Sequence, residues 1–117
     1  MALTKEFIQD IAIATGSRFG KAIFTPEAGR IVGCIIYTNG VTTNGFIRAM
    51  IKNTAGAEIS ILQDIRNYRS REGEYLKSCK PFRDNGGKPL TLEIIADTNF
   101  AADFAAELVL IYEQGEF

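Results

Sequence analysis

The sequence predicts a mainly β domain: an antiparallel β-sandwich preceded by a short N-terminal amphipathic helix. Three observations carry this. Several runs alternate apolar and polar residues at period two; the clearest is the last, where Phe104, Ala106, Leu108, Leu110 and Tyr112 share one face. Turn-forming clusters separate those runs at Asn39-Gly40, Asn53-Thr54-Ala55-Gly56 and Asn85-Gly86-Gly87. The chain of 117 residues is 46% hydrophobic and 23% charged, the balance of one domain able to bury its own core. We therefore expect a single domain over 1–117, with a helix within 1–16 and a short tail at 113–117.

Leu3, Phe7, Ile8, Ile11 and Ala12 fall on one helical face, and Gly16 is a plausible stop. Ile13 breaks that pattern, which leaves a strand over Phe7 to Ala14 as the alternative. Lys21 to Thr25 reads as a short edge strand closed by Pro26. Ile31 to Thr38 is apolar on both faces, as a central strand would be. Phe46 to Lys52 and Ala57 to Leu62 flank the Asn53–Gly56 turn and form the best hairpin in the chain. Glu74 to Ser78 is a weaker strand, Arg83 to Pro89 an exposed loop, and Leu90 to Ala96 alternates again. The inner face is expected to include Ile35, Ile47, Ile59, Leu92, Leu108 and Leu110, in seven or eight strands overall.

Net charge is −1, so global attraction to nucleic acid or anionic membrane is not expected. The average hides an asymmetry: Arg66 to Lys88 carries +4, while Pro89 to Phe117 carries −6 with no Lys or Arg. Such blocks can pair within a fold or between subunits. Cys34 sits in an apolar run and reads as a core residue. With Cys79 far away and no secretory pattern, both thiols are expected to be unpaired in a reducing compartment. Glu6, Gln9 and Asp10 interrupt the N-terminal apolar stretch, so it is neither a signal h-region nor a membrane span.

The sequence contains no histidine, which removes Ser-His-Asp and Cys-His catalysis and any imidazole metal site. Gly86-Gly87-Lys88 lacks the first glycine of a phosphate loop and has Pro89 in place of Ser or Thr; it reads as a hairpin loop. Asp97, Asn99 and Asp103 offer oxygen ligands, but Ala101 stands where a further calcium ligand belongs, so a hydrogen-bonded loop is the simpler reading. Paired carboxylates for glycoside hydrolysis have no marked candidates. No cofactor, metal or catalytic residue is expected, and the chain reads as non-enzymatic.

Arg66-Asn67-Tyr68-Arg69-Ser70-Arg71, with Tyr75 and Lys77, interleaves basic and aromatic residues. That mixture suits a protein interface, single-stranded nucleic acid or a sugar; a solvated loop with Tyr68 tucked into the core also fits. The near-zero net charge argues against nucleic acid.

The layout over Arg30 to Glu113 resembles the small jelly-roll structural proteins of bacteriophage virions, such as minor capsid, spike or decoration proteins. The likeness lies in the Phe46–Leu62 hairpin, the Arg83–Pro89 loop and the final strand pair Leu90–Ala96 and Phe104–Tyr112. It implies a jelly-roll-like sandwich that self-assembles with copies of itself or other virion proteins. It would act in the virion, or in host cytoplasm during assembly. Interface candidates are Phe7, Ile8, Ile11, Arg66, Tyr68, Arg69, Arg71 and Phe117, with three apolar side chains of the N-terminal face supplying on the order of 5 kcal/mol. The alternative is a carbohydrate- or ligand-binding β-sandwich module with Tyr68 or Tyr75 as a platform.

Overall fold

The computed structural model describes residues 3–68 and 80–114. They form eight strands: β1 Leu3–Ile13, β2 Phe19–Phe24, β3 Ile31–Thr38, β4 Ile47–Asn53, β5 Glu58–Asp64, β6 Lys80–Asp84, β7 Leu90–Ala96 and β8 Phe104–Gln114. A single 3₁₀ turn, Ile65–Tyr68, follows β5. The weaker strand expected at Glu74 to Ser78 lies outside the described residues.

Two four-stranded sheets run in the orders β1-β8-β3-β6 and β2-β7-β4-β5. β1 pairs with β8, β2 with β7, β3 with β6 and β4 with β5, all antiparallel. The chain is thus a long ribbon folded back at the β4–β5 hairpin and rolled across both layers, which is a jelly-roll-like sandwich. The hairpin turn is built by Asn53: its carbonyl accepts Gly56 N–H at 3.0 Å, and its side-chain oxygen accepts the N–H groups of Ala55 and Ala57, each at 3.0 Å. Gly56 supplies the left-handed conformation, φ 85°, that this turn needs.

The N-terminal segment is not a helix. It is the eleven-residue strand β1 on the edge of the first sheet, the alternative that Ile13 left open. Its register with β8 places Phe7, Ile11 and Ile13 opposite Leu110, Ala106 and Phe104, on the core side. Ile8 faces outward and is 53% exposed. The helical reading arose because Gln9 occupies an inward position and interrupts the alternation, while outward Ile8 and Ala12 complete a false helical stripe. An edge strand tolerates Gln9 at the sheet margin, where it is half-buried. Phe7 stacks on Phe24 of the other sheet, ring centroids 5.7 Å apart, and closes that side of the sandwich. Phe7, Ile11 and Ile13 of β1 therefore pack within the sandwich itself.

Leu92, Ile94, Leu108, Leu110 and Phe104 fill the core with Ile36, Cys34 and Ile51, and Ile47 and Ile59 pack at its margin. Ile35 departs from expectation. It lies on the outer face of its sheet in a second cluster with Val109 and Ile111. The cause is a register shift between Ile31 and Gly33: one extra residue in β3 reverses the side-chain parity, so Cys34 and Ile36 turn inward instead. Cys34 is buried, and Cys79 lies outside the described residues.

The glycine loop after β6 is fixed by contact. Gly87 N–H donates to the Pro26 carbonyl at 2.8 Å, and Gly29 N–H donates to the Asn85 carbonyl at 2.8 Å. Its role is to let the β6–β7 and β2–β3 connections approach backbone to backbone.

Candidate functional site

The structure separates the residues that the sequence grouped as one interface. Among the described N-terminal candidates, Phe7 and Ile11 point into the sandwich and Ile8 is exposed. Tyr68 is fully buried, the tucked-in arrangement that the sequence also allowed. Its phenol hydrogen-bonds with Ser60 Oγ and donates to the Ala49 carbonyl at 3.3 Å, while the Lys80 ammonium lies 5.5 Å from the ring centroid. Burial pushes its pKa up to about 12, with the Ser60 hydrogen bond opposing. Tyr68 therefore cannot serve as a surface platform. Arg69, Arg71, Tyr75, Lys77 and Phe117 lie outside the described residues.

Arg66 is exposed and held by Asp64. Asp64 Oδ1 accepts the Arg66 backbone N–H at 2.9 Å and its Nε at 3.1 Å; Oδ2 accepts Nη2 at 2.9 Å. The Asp64 carboxyl is lowered from its ordinary value, first by the Arg66 side chain and then by the Arg66 backbone N–H. The aspartate starts the 3₁₀ turn much as an Asx residue starts a turn. The pair was readable in sequence as Asp-x-Arg at the end of a strand.

This ion pair stands on the rim of a cleft of about 740 Å³ at one end of the sandwich. Its walls are the β3–β4 connection, with Thr38, Val41 and Thr42, and the start of the 3₁₀ turn, with Ile65 and Arg66. Ile36 and Phe104 close the floor. Phe46 flanks the opening, 50% exposed, while the neighbouring Tyr37 turns to the outer face of β3 beside Glu107. One Asp97 carboxylate shapes the β3–β4 wall: Oδ2 accepts Phe46 N–H at 3.0 Å and Oδ1 accepts Arg48 Nη1 at 2.7 Å. Those bonds, the Phe46 N–H foremost, lower the Asp97 carboxyl. Arg48 in turn lies 5.0 Å from the Phe46 ring centroid. Gly45 is required here, since a Cβ would stand 2.6 Å from Asp97 Cβ.

Asp103 serves a different contact. Its Oδ1 accepts Thr15 N–H at 2.9 Å and Thr15 Oγ1 at 2.7 Å, while its carbonyl accepts Asn39 Nδ2 at 3.0 Å. Asp97 and Asp103 thus tie down separate loops and do not converge on a shared ligand position. No cluster of metal-ligating side chains occurs among the described residues.

The second sheet carries the most exposed apolar side chains. Phe19 faces Ile95 and Ile23 faces Thr91 on its outer surface, and Ile23 is 67% exposed. On the opposite edge a register irregularity between Ala49 and Ile51 leaves Ile61 and Leu62 both outward, Ile61 at 63%. Between them the largely buried Glu93 carboxylate is paired with Lys52. The outer face of the first sheet differs: Asp10 and Glu107 stand directly opposite across β1 and β8, beside Ile8 and Tyr37. No helix among the described residues is long and apolar enough to cross a membrane, which says nothing of strand-built membrane proteins.

No family model matches the chain, and no curated protein matches it. Among solved structures it is similar to a chain of the cyanophage Pam1 capsid asymmetric unit, at 19% identity and TM-score 0.50, covering 97% of this chain and 86% of that one. It is also similar to a chain of the acidic stable capsid of Helicobacter pylori bacteriophage KHP30, at 11% identity and TM-score 0.50, covering 99% and 95%. A third similar structure is the Yersinia pseudotuberculosis-derived mitogen, at 11% identity and TM-score 0.49, covering 98% and 92%. At these identities the likeness is one of fold.

Proposed function

We propose that this chain is a non-catalytic structural protein that self-assembles as a capsid or decoration component of a virion. The observation that carries the reading is end-to-end correspondence with two phage capsid chains, 97% against 86% and 99% against 95% of the respective lengths. A capsid component of this size works through its surfaces, and the outer face and edges of the second sheet present Phe19, Ile23, Ile61 and Leu62 to solvent. These apolar side chains stand at both edges of the sheet, flanking the Lys52–Glu93 pair, as apolar contacts around a polar centre would in an association surface. Its partners are copies of itself or other virion proteins, and its place is the virion. The histidine-free sequence supports a role without chemistry of its own.

The test is light scattering on size-separated protein over a concentration series. Mass that grows with concentration supports assembly. A constant monomer mass up to the highest concentration, with no incorporation into larger particles, refutes it.

A further inference from the structure

We propose that the cleft between the β3–β4 connection and the 3₁₀ turn is a binding site for a neutral saccharide. The inference goes beyond assembly and does not rest on it. The cleft volume of about 740 Å³ is in the range of small-ligand sites. Phe46 is half exposed at the opening, one side of its ring facing the Arg48 guanidinium, and aromatic faces take up the C–H faces of pyranose rings. Thr38 and Thr42 bring hydroxyls that donate and accept.

The Asp64–Arg66 pair decides the ligand class. Arg66 spends Nε and Nη2 on Asp64, so its charge is neutralised in place. The Nη1 N–H groups remain as donors and the carboxylate keeps further lone pairs as acceptors. A fixed, charge-balanced donor and acceptor set suits vicinal hydroxyls. It does not suit a phosphate, which the carboxylate would repel, nor a wholly apolar ligand, which would strand both groups without water. The pair is already assembled, so ordering it on binding costs little.

The probe is an array of immobilised neutral hexose and N-acetylhexosamine oligosaccharides, followed by calorimetric titration of any sugar captured. The parent protein is expected to bind at least one. Phe46→Ala and Arg66→Met should each weaken that binding about tenfold or more, with the unfolding temperature near that of the parent. Thr42→Val, at an exposed position, provides a third variant that keeps the fold. Ile23→Glu lies on the outer face, toward the other end of β7, and should leave sugar binding unchanged whatever it does to assembly. A blank array overturns the proposal. So does a captured sugar whose affinity is untouched by the Phe46, Arg66 and Thr42 variants.

Discussion

The phenol of Tyr112 donates a 2.6 Å hydrogen bond to the carbonyl oxygen of Glu27, tying the last strand of one sheet to the loop that leaves the other. That same carbonyl lies where a Cβ on Gly86 would stand, at 2.0 Å, and Gly86 has a φ of 65°. Gly86→Ala must therefore displace backbone as well as accept a strained conformation. It is expected to cost more than about 2 kcal/mol. Gly40→Ala, at φ 87° with open space around it, bears only the conformational strain, about 1 kcal/mol. Urea unfolding of both variants checks the order; equal losses would mean that the loop contact is not rigid.

Tyr68 gives the fold an alkaline limit. Its phenol ionises near 10 in the unfolded chain and is pushed up to about 12 by burial in the folded one. The neutral form is the folded form, so this contribution is complete below pH 10 and is lost as pH rises through about 12. The difference corresponds to on the order of 2 to 3 kcal/mol. Tyr68→Phe leaves Ser60 short of a partner and should cost about 1 kcal/mol at neutral pH. Its stability should then fall less than the parent's over the alkaline range. Parallel losses in denaturant titrations at stepped pH would contradict the assignment.

At the acid end Asp97 holds the cleft wall. Its pKa is lowered by Phe46 N–H and by Arg48, so the stability it confers is present above the ordinary value of 3.8 and is lost as pH falls through the depressed one. Asp97→Asn should lower the melting temperature at neutral pH and flatten the acid limb of the melting curve. An unchanged acid limb would assign that limb to other carboxylates, Asp103 first, since Thr15 lowers it in the same direction.

Lys52 and Glu93 form a partly covered pair on the second sheet, with the Glu93 side chain only 10% exposed. Lys52→Met alone leaves that carboxylate buried without its cation and is expected to cost about 1 to 2 kcal/mol, less than for a fully buried pair because Lys52 is partly solvated. The double change Lys52→Met with Glu93→Met should recover most of the loss. A double variant no more stable than the single one would show that the charge pair is not what matters there.

Much of the roll was legible because alternation is strict where a strand has one wet and one dry face. Residues 90–96 and 104–112 and the hairpin at Asn53–Gly56 fall where period two and turn chemistry put them. The misreadings share a cause, which is that parity is local. Gln9 breaks the stripe of an edge strand, and the extra residue in β3 reverses its sides, so Ile35 turns out where Ile36 turns in. The cleft was not legible because it joins residues far apart in sequence: Phe46 and Thr42 from one connection, Asp64 and Arg66 from another. Only the Asp64–Arg66 pair left a local trace.

The proposed association through the outward surface of the second sheet is best read by sedimentation velocity on the parent beside an Ile23→Glu, Ile61→Glu double variant. Both side chains are more than half exposed, so the substitutions leave the core intact, which a thermal melt can confirm. The parent is expected to sediment as an oligomer with increasing concentration and the variant to stay monomeric under the same conditions. A parent that remains monomeric throughout, or a folded variant that assembles as the parent does, would contradict it.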